Sequence, residues 1–389
     1  MDFNIETYLN SLPEDIEIID ISMRNLTYIP NLSRFKNLKI LNCFGNRLTD
    51  LPPLNETLKE LNCSNNLLTY LPILNKNLEI LYCSINKLTC LPQLNEKLKE
   101  LYCPHNQLTY LPILNEILEE LNCSNNNLTS LPCLNKTLKT LECFENFLTS
   151  LPQLNESLII LNCYYNFLTN LPNLNEKLEK LYCSDNELTT LPNFNKNLKE
   201  LDCSNNDLTV LPNLNEFLII LNCYNNSLTS LQQLNKDLII LNCSMNKLTF
   251  LPSLNEKLED LYCFYNNLTL LPPLNINLKI LECSNNNLDF IPHLNEQLEE
   301  LSCHNNPIYK ILEKLNWANN INGIKEIRKN INIVNNFRYL YYCLKFKKKF
   351  RCYLWTKIRE PKIRDKYNPS YLLDNLDETM DLDNFLDTW

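Results

Sequence analysis

Residues 38–57 read Leu38-Lys39-Ile40-Leu41-Asn42-Cys43-Phe44-Gly45-Asn46-Arg47-Leu48-Thr49-Asp50-Leu51-Pro52-Pro53-Leu54-Asn55-Glu56-Thr57, and at Leu58 the same pattern begins again. It returns every twenty residues, without insertion or deletion, from Leu38 to a last start at Leu298, which makes fourteen units. A degenerate unit, two residues longer, precedes them and is carried by Ile16, Ile19, Ile21, Leu26, Ile29, Pro30 and Leu32. Positions within a unit are numbered one to twenty from its first leucine. Leu41 and Cys43 alternate with residues 40, 42 and 44, the period of a short strand with one face inside. Twenty residues cannot hold a strand, two turns and a helix. Pro at 52, 72, 92, 112 and onward, with Gln232 an exception, fixes φ and removes a donor. The expected unit is therefore a strand that returns along an extended or polyproline-like path. One unit alone cannot bury its leucines, so neighbours must stack in parallel, and at about 4.8 Å per strand fourteen units give a sheet on the order of 65 Å long.

The consensus L-x-x-L-x-C-x-x-N-x-L-x-x-L-P-x-L-N-x-x has the signature of the leucine-rich repeat, with Cys at the third apolar position. Its short unit with Leu-Pro resembles the repeats of bacterial effectors of the Leu-Pro-x type, and it is also similar to leucine-rich repeat proteins encoded by giant DNA viruses. The resemblance spans about residues 16–312 and implies a repeat solenoid, a horseshoe or superhelix with a parallel sheet on its concave face. The implied function is non-enzymatic binding of a protein partner through that face.

Two polar or thiol rows recur with the leucines. Asn at position nine is present in all fourteen units, from Asn46 to Asn306. Its amide both donates and accepts, so a stacked row can satisfy turn groups that the strands leave unpaired. The second Asn, as in Asn55 and Asn75, is expected at a return turn where unusual dihedrals are tolerated. Fourteen of the eighteen cysteines, Cys43 to Cys303, occupy the inward position six. Thiols on adjacent parallel strands lie about 4.8 Å apart, beyond the roughly 3.5–4.5 Å Cβ separation of a disulfide. They read as small buried hydrophobes in a reducing, intracellular compartment, the host cytoplasm or the nucleus.

Composition removes several chemistries. Gly45 and Gly323 are the only glycines, which excludes phosphate-cradling loops and dinucleotide fingerprints. Three histidines, His105, His293 and His304, offer little for metal sites or triads. No cofactor, metal or small-molecule substrate is expected. Nowhere do eighteen apolar residues run together, so no transmembrane segment is predicted and the chain reads as soluble and monomeric. Charge divides it in three: residues 1–309 carry net -15, residues 310–366 net +12 and residues 367–389 net -6. An acidic solenoid disfavours nucleic acid on its inner face.

Function must sit where the repeat leaves residues free, at positions three, five, seven and eight. Early units are polar there, as at Glu60, Asn62, Ser64 and Asn65. Later ones gather apolar side chains, and the candidate partner-binding residues are Phe144, Ile160, Tyr164, Tyr165, Ile220, Tyr224, Ile240, Tyr262, Phe264 and Tyr265. Residues 1–15 form an N-terminal cap, with Ile5, Tyr8, Leu9 and Leu12 on a short helix before Pro13. The solenoid runs over 16–312. A basic helical C-terminal cap covers 313–366, where Ile324, Ile327, Ile331, Val334, Phe337, Tyr341 and Leu344 recur at helical spacing. Residues 367–389 are an acidic tail or a short amphipathic helix. Alternatives to the scaffold reading are a ubiquitin-ligase-like effector and an adaptor acting through the basic segment. For the ligase, the resemblance implies a Cys-x-Asp nucleophile in a large helical domain, and Cys343-Leu344-Lys345 and Cys352-Tyr353-Leu354 do not match it.

Overall fold

The structure, a computed structural model, describes residues 3–310 and 323–366. Contacts divide the chain near Ile324 into a solenoid and a helical unit. The solenoid opens with α1 (Ile5–Ser11), capped by Asn4, whose side chain accepts from Thr7 N at 2.9 Å. Ile5 and Leu9 are buried, and the Arg34 guanidinium donates to the Leu9 carbonyl, tying the helix to the degenerate unit. β1 (Ile18–Asp20) follows, then one three-residue strand per unit from β2 (Ile40–Asn42) to β15 (Glu300–Ser302). The fifteen strands form one sheet in sequence order, all parallel. Register places Ile19 beside Leu41 and Leu41 beside Leu61, so the longer first unit is absorbed outside the strand.

The twenty-residue period makes this register self-consistent, because equivalent groups meet at every step. Cys43 N donates to Asn62 O at 2.8 Å, and Lys59 N to Lys39 O at 2.7 Å, and the pattern recurs along the sheet. Between strands the chain carries no helix, only extended segments and tight turns. Leu158, Leu161, Cys163 and Leu168 are fully buried, and their equivalents are buried in each of the fourteen units except at Leu301 of the last strand, which is half-buried. Each buried leucine contributes about 1.5–3 kcal/mol relative to exposure. At Gln232, which replaces the recurrent proline, Nε2 donates to the Leu211 carbonyl at 3.2 Å.

Asparagine holds the seam beneath the strand exits. Asn66 Nδ2 donates to the Cys43 and Cys63 carbonyls, both at 3.0 Å, and its Oδ1 accepts from Leu48 N at 3.0 Å. The arrangement repeats at Asn166, which bonds Cys143 O at 3.1 Å and Leu148 N at 3.0 Å, and reaches Asn306, which serves Cys283 O and Leu288 N. In each case the asparagine of one unit completes the unit before it. A second row does similar work: Asn75 Nδ2 donates to Asn55 O at 2.8 Å and Leu58 O at 3.1 Å.

Two expectations need correction. The unusual dihedrals anticipated at position eighteen occur at position eight, where φ is positive in every unit: 68° at Gly45, 51° at Ile85, 53° at Tyr165. At the first of these a Cβ on Gly45 would lie 2.3 Å from Met23 Sδ, the end of an exposed side chain that would have to move aside. Position seven is not uniformly outward either: Ser64, Ser124, Ser204, Ser244 and Ser284 are buried. Serine fits there because the chain is already turning under the sheet edge, and the Ser124 backbone N and Oγ donate to Asn122 Oδ1 at 3.1 and 2.7 Å.

The helical unit contains α2 (Gly323–Leu354), a π-helical turn over Trp355–Arg359 and α3 (Glu360–Lys366). Ile331 is buried, but Phe337, Tyr341 and Leu344 of the expected stripe are exposed, together with Tyr339, Leu340 and Tyr342. Four consecutive exposed residues sample every side of a helix, so the apolar side chains surround this stretch and do not form one face. Lys345 Nζ lies over the Tyr341 and Phe346 rings at 5.6 and 5.9 Å. Leu312 and the acidic stretch 367–389 lie outside the described residues.

Asn166→Ala leaves the buried Leu148 amide without its acceptor, at about 1–3 kcal/mol for an unsatisfied group, and takes one of two donors from each of the Cys143 and Cys163 carbonyls, which keep Asn146 and Asn186. It should lower the denaturant midpoint markedly. Asn155→Ala, which loses a bond to Leu138 O at 2.8 Å and a carbonyl oxygen that has no partner, should cost clearly less. Equal midpoints for the two variants would contradict the seam assignment.

Candidate functional site

On the concave face the strand leucine points in, while positions three and five stand outward and are half-buried in all but the terminal units. Across the fourteen repeats these two positions carry nine carboxylates and one cation, Lys180. The acids come into register. Glu100 sits directly beside Glu120 on the next strand. Tyr102 donates its hydroxyl to Glu120, Tyr82 stacks on Tyr102 with centroids 4.9 Å apart, and Asn122 Nδ2 donates to Glu142 Oε2 at 2.5 Å. Burial and the neighbouring Glu120 push the carboxyls of both Glu100 and Glu142 above the usual carboxylate range. Farther along, burial would raise Glu200, but the Tyr182 hydroxyl at 2.5 Å and Lys180 at 3.0 Å outweigh it and hold that carboxyl below its ordinary value. Burial pushes the Tyr182 phenol up to about 12, so it remains a donor at neutral pH.

The rim at position two contrasts with this face. There Glu79 lies between Lys59 and Lys99, at 3.1 and 2.9 Å, and Glu119, Glu179 and Glu259 each meet a lysine one unit later, Lys139, Lys199 and Lys279. Each exposed pair is worth only about 0–1 kcal/mol, but together they neutralise the edge.

The ten candidate residues fall into three groups. Ile220, Ile240 and Tyr262 line a concave hollow of about 330 Å³ with Tyr182, Glu200 and Asp202, and Ile160 occupies the same strand position farther toward the N-terminus. Phe144 and Tyr164, at position seven, stack at 4.5 Å and 9°. Tyr224 and Phe264, at the same position, meet at 6.1 Å. Tyr165 and Tyr265 belong to the left-handed position eight and are exposed. Sequence reasoning missed Tyr182, Glu200 and Asp202, although each sits at a position already recognised as outward. It also missed Phe147 and Phe167 at position ten, which stack at 6.1 Å outside the strand.

The cysteine row lines the opposite, inner side of the sheet. Cys43 to Cys303 are buried free thiols, and Cys63 Sγ donates to Tyr82 O at 3.4 Å. Burial pushes Cys43 and Cys163 up to about 12, which removes them as nucleophiles. No group of His, Cys, Asp or Glu among the described residues has the arrangement of a metal site. No helix among them is long and apolar enough to cross a membrane.

Two outcomes test this description. Iodoacetamide at mildly alkaline pH should label Cys133 and Cys352, which are exposed, and spare the fourteen buried thiols until denaturant is added, as read by peptide mass spectrometry. Glu142, with its raised carboxyl, carries a penalty that is absent while it is protonated in both states and grows as pH rises through its folded value. Glu142→Gln should therefore raise the melting temperature at neutral pH and leave it unchanged in acid, below the unfolded carboxylate value.

Comparison with known proteins agrees with this geometry. Residues 176–213 match the family model described as leucine-rich repeats in two copies. No curated protein sequence gives a significant match. Among solved structures, the leucine-rich effector YopM from Yersinia pestis is 34% identical, with 74% of this chain and 88% of that one covered and a TM-score of 0.65. The leucine-rich repeat protein LIC12759 from Leptospira interrogans is 28% identical, covering 80% and 96%, with a TM-score of 0.62. The functional domain of InlJ from Listeria monocytogenes, described as including a cysteine ladder, is 29% identical, covering 73% and 63%, with a TM-score of 0.55. With fifteen stacked parallel strands, the asparagine and cysteine rows and this likeness, the chain belongs to the leucine-rich repeat proteins.

Proposed function

We propose that this protein is a recognition scaffold that binds a polypeptide partner across the concave face of its solenoid and performs no covalent chemistry itself. The leucine-rich repeat fold is a common protein–protein interaction scaffold. The observation that carries the concave-face reading is the hollow of about 330 Å³ where Ile220, Ile240 and Tyr262 meet Tyr182 and Glu200. Aliphatic and aromatic groups on a strand face with polar neighbours have no packing role within the repeat, and they make the apolar centre and polar rim of an interface. The unrelieved carboxylates of the same face favour a partner with basic character. Fourteen buried thiols suit a reducing compartment inside a cell, and abundant Asn, Ile, Lys and Tyr with scarce Ala and Val suit an AT-rich genome such as that of a giant virus.

The division into an N-terminal cap over 1–15, a solenoid over 16–312, a basic helical segment over 313–366 and an acidic tail is part of the same proposal. The solenoid supplies the binding face in it, and the basic segment ends the repeat.

Ile220→Arg with Ile240→Arg places charge in the hollow without touching buried leucines. Affinity capture from host extract on wild-type and variant protein, quantified by mass spectrometry, should show the partner depleted about tenfold or more on the variant, the loss expected when a central apolar contact is removed. Tyr164→Ser with Tyr165→Ser should give a smaller loss. The same partner recovered in equal amount by a normally melting Ile220/Ile240 variant would reject the concave-face reading.

A further inference from the structure

Outside the concave face, a groove of about 590 Å³ runs along the strand exits of the fourth to ninth units. The asparagine seam forms its floor at Asn126, Asn146, Asn166 and Asn186, and there the amides already donate to backbone carbonyls. Its walls are positions eight and ten. They present Phe147 and Phe167 with near-parallel rings 6.1 Å apart, the exposed ring of Tyr165, and the carboxylates Glu145, Asp185 and Glu187. No lysine, arginine or histidine lines the groove. Glu145 accepts a bond of 3.4 Å from the Tyr164 hydroxyl, but none of the three carboxylates forms an ion pair with a described residue.

We infer that this groove is a binding site for a cationic side chain, arginine or lysine, presented by a polypeptide. Aromatic faces attract a cation through the ring quadrupole, and carboxylates beside them supply the opposing charge and the hydrogen-bond acceptors. Arginine fits best, because its planar guanidinium stacks on a ring while its edge reaches a carboxylate. An anionic ligand would meet three like charges. A purely apolar one would leave those carboxylates to be desolvated without a partner. At position two this chain pairs Glu79, Glu119, Glu179 and Glu259 with lysines one unit away. Here it does not, and it holds aromatic rings in the open beside them. The site is separate from the concave hollow and does not depend on that surface being used.

The test uses a fluorescein-labelled hexa-arginine peptide, with hexa-citrulline as the neutral shape match, and reads fluorescence anisotropy on the full chain. Hexa-arginine is expected to bind and hexa-citrulline not to. Phe147→Ser with Phe167→Ser, and separately Glu145→Gln with Asp185→Asn and Glu187→Gln, should each weaken hexa-arginine about tenfold, the combined scale of exposed cation–π and ion-pair contacts. The concave variant Glu100→Gln with Glu120→Gln should change it far less. Thermal melts confirm that the variants fold, and Glu187→Lys supplies a single exposed substitution that should also weaken binding. Hexa-citrulline binding as well as hexa-arginine would overturn the proposal. So would unchanged affinity in the aromatic variant, or an equal loss in the concave and groove variants. The Ile220/Ile240 variant, intact in this assay, keeps failure of the groove distinguishable from failure of the concave hollow.

Discussion

The structure depends on the satisfaction of backbone groups that short strands leave behind. A three-residue strand pairs few amides and carbonyls, and where the chain dives beneath the sheet those groups are buried without water. The position-nine asparagine answers this at every step, with Nδ2 on carbonyls of two successive coils and Oδ1 on an amide nitrogen. Leucine burial supplies most of the favourable free energy, but it is indifferent to register. The amide row is directional and fixes one coil against the next, so the leucines meet the same neighbours each time.

Most of this was legible in the sequence, because identical residues at a fixed spacing in a stacked fold must occupy identical environments. Leucine at positions one, four and eleven, cysteine at six and asparagine at nine could be placed inside from Leu38 to Leu298 by arithmetic alone. What was not legible was the backbone. Positive φ at position eight is disguised by its occupants, since Asn65, Asn125 and Gly45 signal a left-handed residue but Ile85, Tyr165 and Met245 do not. The depth of position seven was hidden for a similar reason: serine reads as outward, yet Ser244 is fully buried. On α2 the spacing of Ile331, Phe337 and Tyr341 gave the helix correctly but overstated its sidedness, because Tyr339, Leu340 and Tyr342 interrupt the stripe.

The candidate surfaces were legible only in part, and charge explains why. Aromatic and aliphatic residues can be picked out from a sequence, but whether a carboxylate is neutralised depends on which lysine lies one coil away. At position two, Glu79 and Glu259 find theirs. On the concave face Glu100 and Glu120 find each other. The same residue type is a structural component in the first case and a standing repulsion in the second. Only the second leaves free energy for a partner to recover, which is what the proposed concave-face interface draws on.

The asparagine row also has a polarity. Asn66 completes the coil that contains Cys43, and Asn306 the coil that contains Cys283, so each turn of the solenoid stays unfinished until the following one has been made. During synthesis on the ribosome the growing chain therefore settles one coil behind the newest, beginning at the α1 end. A premature stop anywhere along the array would leave a single unclosed coil at the break and intact ones upstream, a form of damage confined to its own edge.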